Sequence, residues 1–204
     1  MLNIISPYVG KGKHRECYIH PLDENLCIKI LLPSKSGGAF IEAEREAKYY
    51  RFLAKKKVPW TMLPAFHGDV ITNRGKGYVF DLIRDFDGNV SKNLDYYLSK
   101  SQLTQQHAQG LSNAFDRLKE YLLRWKIITM NIEDQNLVYQ KIGNNDGRLV
   151  MVDNLGNSEF IPISNYLAFF AKLKIRRKWR RFEYLLLKKY PYNEFLKKKF
   201  SVKN

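Results

Sequence analysis

The sequence predicts an α+β fold, with a small β-rich N-terminal part and a mainly helical C-terminal part. Three observations lead there. Apolar runs of strand length lie at 26–32 and 77–83, and turn residues precede the first of them at 21–25. A long amphipathic stretch follows at 105–127, with Ala108, Leu111, Ala114, Phe115, Leu118, Leu122 and Trp125 at helical spacing. A hairpin then joins Leu137, Val138 and Tyr139 to Leu149, Val150, Met151 and Val152 through Gly143-Asn144-Asn145-Asp146-Gly147. Glycine and asparagine tolerate the positive φ that such a turn needs.

Taken in order, residues 10–18 read as a glycine turn between strands, because Gly10-Lys11-Gly12-Lys13 precedes the alternating Arg15-Glu16-Cys17-Tyr18. Two glycines let backbone N–H groups come close to phosphate oxygens, although a G-x-G by itself usually marks only a hairpin. Lys29 is a lone cation in Leu26-Cys27-Ile28-Lys29-Ile30-Leu31-Leu32. A buried ammonium calls for a carboxylate or phosphate, whereas an edge-strand lysine would snorkel to water. The helix expected at 39–54, loosely capped by Ser36-Gly37-Gly38, offers such a carboxylate. Its apolar stripe is Phe40, Ala43, Ala47, Tyr50 and Leu53 or Ala54; Glu46 borders that stripe, and Glu42 and Glu44 compete with it.

The hairpin carries the chemistry. Antiparallel pairing brings the residue before its first strand, Asn136, near the residue after its second, Asp153. An amide oxygen and a carboxylate at that mouth can bind Mg²⁺ together, as phosphoryl transfer requires, or can simply be two polar loop starts.

Lys29, Glu46, Asn136 and Asp153 occur in the order of the protein-kinase-like set: glycine loop, strand lysine, helix glutamate, catalytic-loop asparagine and metal-binding aspartate. More closely, the chain resembles the bacterial YrbL family of PhoP regulatory network proteins. The matching pieces are residues 10–18 with Cys27-Ile28-Lys29-Ile30, Arg45-Glu46-Ala47-Lys48-Tyr49-Tyr50, Gly77-Tyr78-Val79-Phe80-Asp81 through Asp85-Phe86-Asp87-Gly88, Thr129-Met130 through Gln135-Asn136, and Asp153-Asn154 with Gly156. The resemblance implies a compact two-lobed protein-kinase-like fold, with residues 1–84 as N-lobe, 85–88 as hinge and 89–204 as C-lobe. It implies ATP bound with Mg²⁺ between the lobes, the ion held by Asn136 and Asp153 and the phosphates met by Lys29, Gly10 and Gly12. It also implies that Cys17, where kinase-like folds place an adenine-contacting valine, and Cys27, where they place an alanine, line the roof of the cleft.

Departures from the kinase pattern bear on the reaction. A catalytic aspartate normally stands five residues before the metal-binding asparagine, but that position is Asn131, with Thr129 and Met130 replacing the usual His-Arg. An amide cannot accept a proton as a general base. The family resembles this chain in that loss; Glu133 and Asp134 in the same loop are the substitutes within reach, or else they face water. Arg15 stands in the place of the third glycine, which stiffens the phosphate lid or adds a guanidinium contact to it. About fifty residues follow Asp153, and Ala-Pro-Glu is absent. A small-molecule, sugar or lipid-linked acceptor is therefore easier to accommodate than a protein.

Composition sets the remaining limits. With 204 residues, 45% hydrophobic and 14% aromatic, the chain can bury one substantial core. Two cysteines suit a reducing cytoplasm, the start lacks a secretory signal, and the longest apolar candidate, 166–171, is too short to span a membrane. His14, His20, His67 and His107 are scattered without metal-ligand spacing. Formal charge is +15, and residues 172–204 alone hold thirteen Lys or Arg against Glu183 and Glu194, a net +11. A helix through 172–182 would either dock its cations on anionic lipid, nucleic acid or an acidic partner around a Trp179 and Phe182 anchor, or be a solvated surface whose aromatics pack inward. No recognised nucleic-acid module accompanies that charge, so a solvated surface is slightly favoured, and among partners an anionic surface at the inner membrane ranks above nucleic acid. Three functional classes follow: an atypical small-molecule kinase, a nucleotide-binding pseudokinase, and a basic surface-binding adaptor with a vestigial cleft.

Overall fold

The computed structural model describes residues 1–12, 14–32, 38–156 and 168–200. Lys13 of the glycine turn, Ser36 and Gly37 of the expected cap, and Tyr166 and Leu167 of the apolar run lie outside them. The chain divides into two compact units, Met1–Trp60 with Pro64–Ile83, and Thr61–Leu63 with Arg84–Asn204.

The first unit is a five-stranded antiparallel sheet with one long helix. Its strands are β1 (Tyr8–Lys11), β2 (Arg15–His20), β3 (Asp23–Leu31), β4 (Phe66–Thr72) and β5 (Gly75–Asp81), in spatial order β1-β2-β3-β5-β4. Register aligns Cys17 with Lys29 and Lys29 with Tyr78, while Tyr18 faces Ile28 and Ile28 faces Val79. The two-residue strand period therefore sorts the side chains onto two faces. Tyr18, Ile28, Ile30 and Val79 form an apolar cluster closed by Ile4 at the N-terminus. The backbone pins that N-terminus down, since Leu2 N donates to Ile71 O (2.8 Å) and Asn73 N to Leu2 O (3.0 Å). Gly77 belongs to this face and has to be glycine: a Cβ there would lie 2.5 Å from Ile28 Cγ2.

The opposite face carries Cys17, Cys27, Lys29, Tyr78 and Phe80, and α1 (Gly38–Lys55) covers it. Tyr50 of α1 meets Phe80 and Phe66 with ring centroids 5.0 and 6.0 Å apart. The buried stripe of α1 is Ala39, Ala43, Glu46, Ala47, Tyr49, Tyr50 and Leu53. Phe40, expected in that stripe, is 50% exposed instead. The stripe is rotated toward Ala39 because small side chains let the helix approach the sheet closely, and Phe40 points outward beneath the Lys76 ammonium.

In the second unit, α2 (Leu94–Leu98) starts at Asn93, whose Oδ1 accepts from Tyr96 N at 3.0 Å. The short α3 (Ser101–Gln106) leads into α4 (Ala108–Trp125), whose inward residues are Gly110, Leu111, Ala114, Phe115, Leu118, Tyr121 and Leu122. Lys126 then takes a left-handed conformation, φ 54°, and its N–H returns to Leu122 O, a standard way to stop a helix. β6 (Leu137–Lys141) and β7 (Gly147–Met151) form the expected hairpin, and two helices close the unit, α5 (Ala168–Lys189) and α6 (Glu194–Phe200). Tyr139 is 1% exposed and occupies a niche made by two glycines. A Cβ on Gly110 would meet its hydroxyl at 2.2 Å, and one on Gly147 would meet its ring at 2.4 Å.

Residues 85–88, expected as a hinge, form a turn fastened to β6. Gly88 N donates to Asp85 O (2.9 Å), Phe86 N to Lys141 O (2.9 Å), and Lys141 N to Asp85 Oδ1 (2.9 Å). The division between the units accordingly falls one residue before the expected N-lobe end, between Ile83 and Arg84, and Thr61–Leu63 joins the helical unit. Trp179 and Phe182 of α5 are 1% and 2% exposed, so they are core and cannot anchor the chain to a surface. Among the described residues, no helix is long and apolar enough to cross a membrane.

Candidate functional site

The sheet unit holds the glycine-rich stretch, Lys29 and Glu46. Gly12 N donates to Arg15 O at 2.8 Å, which closes the turn and commits that N–H. Gly10 pairs with Cys17, and a Cβ on it would meet nothing within 4 Å. The space over Gly10 is open to a close-approaching group, whereas Gly12 serves the turn.

Arg15, at the start of β2, sends its guanidinium to α1. Its Nη1 lies 2.5 Å from Glu46 Oε2, with the arginine side chain 16% exposed and the glutamate 1%. Two consequences follow. Glu46 does receive a cation, as its place on the helix suggested, and the cation shown on it comes from β2. Arg15 also ties its strand to the helix through that contact. Glu44 is occupied elsewhere, accepting Lys76 Nζ and Tyr78 OH at 2.6 Å each; the Lys76 ammonium and then the Tyr78 hydroxyl hold its carboxyl below the usual range. Glu42 is exposed. Lys29 is 9% exposed, with its ammonium 4.8 Å from the Phe80 ring centroid. At that distance the ring's negative face contributes a favourable cation–π contact.

Cys17 and Cys27 share the Lys29 face. Cys27 is 4% exposed, its Sγ 3.7 Å from Asp81 O, and the Cys17 thiol beside it together with burial pushes its pKa well above the ordinary value. Thiolates react and thiols do not, so Cys27 is chemically quiet while the half-buried Cys17 is the accessible member of the pair.

Within the helical unit, α4 ends into a well-anchored loop. Ile127 and Ile128 are buried, Met130 N donates to Asn154 O (2.7 Å), Gly156 N donates to Ile128 O (3.0 Å), and Lys178 of α5 donates to Met130 O. A single 3₁₀ turn, Asp134–Asn136, then feeds β6. Val152 N donates to Asn136 O at 2.9 Å, one step beyond the Leu137 and Met151 pair, so Asn136 lies opposite Val152 at the open end of the hairpin and Asp153 is the next residue along the chain. Both are partly exposed. Asp153 Oδ1 accepts Asn154 N at 2.8 Å, and Asn154 (φ 66°) and Gly156 (φ 112°) turn the chain away from the carboxylate. An amide oxygen and a carboxylate are hard-oxygen donors of the kind Mg²⁺ takes together with water and phosphate oxygens.

Asn131 and Glu133 are exposed on the same loop, but Asp134 is 7% exposed and already engaged. Its Oδ2 accepts Lys189 Nζ at 2.7 Å and the Tyr190 hydroxyl. The same two groups reach Asp95 of α2, Lys189 at 2.9 Å and Tyr190 at 2.6 Å. Asp95 is held below the usual carboxylate range by Tyr190 and then Lys189. Burial opposes the Lys189 ammonium, yet the hydrogen bonds to Asp134 and Asp95 prevail and raise its pKa. Asp134 is thus a clamp residue, its carboxylate bonded to a cation and a hydroxyl from the end of α5.

The model of the family described as PhoP regulatory network protein YrbL matches residues 6–186. The chain belongs to the YrbL family. It is 37% identical over 174 residues to "Uncharacterized protein YrbL" of Escherichia coli (strain K12), covering 85% of this chain and 82% of that one, and the Shigella flexneri protein of the same name matches to the same extent. Among solved structures, this YrbL-family chain resembles one in the Chaetomium thermophilum CAK complex bound to ATP-γ-S, with TM-score 0.52 and 16% identity over 71% of this chain and 44% of that chain. It also resembles a kinase domain seen in a crystal structure, with TM-score 0.54 and 10% identity over 76% of this chain and 51% of that one. The chain spans about half the length of these two structures. At such identities the likeness concerns the fold, which is protein-kinase-like.

Sequence reasoning missed the clamp residues Asp95, Lys189 and Tyr190. Asp95 sits in a five-residue helix that no periodicity announces, and Lys189-Tyr190 was absorbed in the general basic charge of the C-terminus. The one available signal was a tyrosine following the last turn of a basic helix.

Proposed function

We propose that this YrbL-family chain is a cytoplasmic nucleotide-binding protein that uses ATP with Mg²⁺ to phosphorylate a small-molecule, sugar or lipid-linked acceptor. The observation that carries the reading is the Asn136 and Asp153 pair at the hairpin mouth of a protein-kinase-like fold. Asn136 Oδ1 and the Asp153 carboxylate would hold the ion, which neutralises phosphate charge, and Lys29 would contact the phosphates. Phosphoryl transfer draws most of its catalysis from positioning and charge neutralisation, so replacement of the usual aspartate by Asn131 lowers the rate without excluding transfer. Glu133, exposed on the same loop, is the remaining carboxylate able to accept a proton from an acceptor hydroxyl.

The second reading is a pseudokinase that binds nucleotide and signals through a partner, and Asn131 is the observation favouring it. Transfer from γ-labelled ATP to a bacterial envelope-lipid extract and to sugar pools separates the two. An enzyme transfers label, loses transfer in Asp153→Asn, and keeps or gains it in Asn131→Asp. A wild-type chain that stabilises thermally with Mg·ATP but transfers nothing is the pseudokinase. Equal ATP stabilisation of wild type and Asp153→Ala, with or without Mg²⁺, contradicts the proposed metal site.

A further inference from the structure

α5 is a 22-residue helix, about 33 Å long, with two unlike faces. Its inward face holds Ala171, Ile175, Trp179, Phe182 and Leu186, all buried. Trp179 Nε1 donates to Glu183 Oε1 at 2.7 Å, and Lys119 of α4 reaches the same oxygen at 3.5 Å. The helix's one carboxylate is thereby turned into the protein, and the outward face of α5 carries no acidic residue.

That outward face is apolar and cationic together. Phe169, Phe170, Leu173 and Tyr184 are 68%, 51%, 45% and 63% exposed. Arg176, Arg177, Arg180 and Arg181 are exposed among them. Leu173, Arg177, Arg180 and Tyr184 follow i, i+4, i+7, i+11 spacing, so they line one stripe along the helix. A partner that fits has to accept large apolar side chains and satisfy guanidinium groups within a few ångströms of each other. The headgroup boundary of an anionic bilayer does both: acyl chains take the ridge and lipid phosphates take the arginines. Nucleic acid would match the arginines, but its outer phosphate surface offers no receptor for an exposed leucine and phenylalanine ridge. Isolated exposed apolar residues are ordinary, but large apolar side chains interspersed with charges of one sign along one helix face are not.

We propose that the outward face of α5 docks flat on an anionic lipid bilayer, with Leu173 and Tyr184 entering the interface and Arg177, Arg180 and Arg181 meeting lipid phosphates. The surface needs no nucleotide, so it stands or falls apart from the function proposed above.

The test is sedimentation of the full chain, without nucleotide, with vesicles of phosphatidylcholine alone or mixed equally with phosphatidylglycerol. Wild type is expected to bind the mixed vesicles and not the neutral ones. Arg177→Gln, Arg180→Gln and Arg181→Gln together should weaken binding roughly 100-fold or more. Leu173→Ser with Tyr184→Ser, which leaves the charge unchanged, should weaken it at least about 10-fold. All these positions are exposed, so circular dichroism should show unchanged folding. Full binding by the Leu173 and Tyr184 variant would overturn bilayer insertion and leave only diffuse electrostatic attraction. Tighter binding to duplex DNA than to mixed vesicles, lost in the same arginine variant, would replace the bilayer by nucleic acid.

Discussion

Glu46 of the sheet unit and Asp134 of the helical unit are both buried carboxylates that sequence reasoning had marked for chemistry, and the two are neutralised in different ways. In the sheet unit, Glu46 of α1 receives the Arg15 guanidinium from strand β2, a strut between strand and helix. In the helical unit, Asp134 shares Lys189 and Tyr190 with a second carboxylate, Asp95, so four side chains tie the 3₁₀ turn to α2 and to the end of α5. The comparison teaches that a buried carboxylate is neutralised by groups brought from elements distant in sequence. Where two carboxylates share their partners, the loss of one partner leaves the other bridging both.

The largest effect expected from breaking this comparison is on Glu46. Glu46→Ala leaves the mostly buried Arg15 guanidinium without that carboxylate and should cost about 3–5 kcal/mol in chemical denaturation. Tyr190→Phe removes one hydroxyl from the shared network and should cost about 1.5 kcal/mol, since Lys189 still bridges both carboxylates. Equal costs for the two variants would erase the distinction between strut and network.

The glycine niches sharpen the contrast at the level of packing. Gly77→Ala drives a Cβ into Ile28, and Gly110→Ala drives one into the Tyr139 hydroxyl, each costing about 2 kcal/mol by overpacking. The second cost should shrink in a Tyr139→Phe background, because the next ring atom lies 3.5 Å from the added Cβ, whereas no single-atom deletion is expected to relieve Gly77→Ala so simply. A double-mutant cycle with no coupling between positions 110 and 139 would show that the niche is looser than it is drawn.

Acidity probes the network alone. Asp95 has its pKa held below the unfolded value, so its contribution is complete above the ordinary aspartate pKa and disappears as pH falls through the lowered one. Stability lost on acidification should therefore be smaller in Asp95→Asn than in wild type; identical acid limbs would mean that Asp95 is not held as described. The smallest effect concerns the thiols. Iodoacetamide should label Cys17 and leave Cys27 untouched in the native chain, and if the nucleotide lies over this face, Mg·ATP should slow Cys17 labelling several-fold. Rapid labelling of Cys27 would contradict its burial.

Much of this arrangement was legible from local pattern. The hairpin, α1 and α4 lie within a few residues of where apolar spacing put them, and so does β3, because each presents a strong period and clear turn residues. β4 was not legible: Phe66-His67-Gly68-Asp69-Val70-Ile71-Thr72 mixes charge with a positive-φ glycine, and an edge strand tolerates such a sequence. The hairpin that Asn136 precedes and Asp153 follows was legible because its pairing is local. The Arg15 strut and the Tyr190 clamp span 31 and 56 residues and depend on tertiary packing, which a single sequence does not display. The same holds for α5, where helical spacing marked Trp179 and Phe182 but could not say which face turns inward.

The central claim, that Asn136 and Asp153 together hold the ion of a bound nucleotide, is tested most directly by calorimetric titration of ATP at fixed Mg²⁺. The series compares wild type, Asn136→Ala, Asp153→Ala and the double variant, with a parallel series lacking Mg²⁺. The account predicts Mg²⁺-dependent binding, a loss in each single variant with the larger at Asp153, and a double variant weaker by less than the two losses combined, because both residues serve one ion. Binding that ignores Mg²⁺, or that survives intact in the double variant, would contradict it.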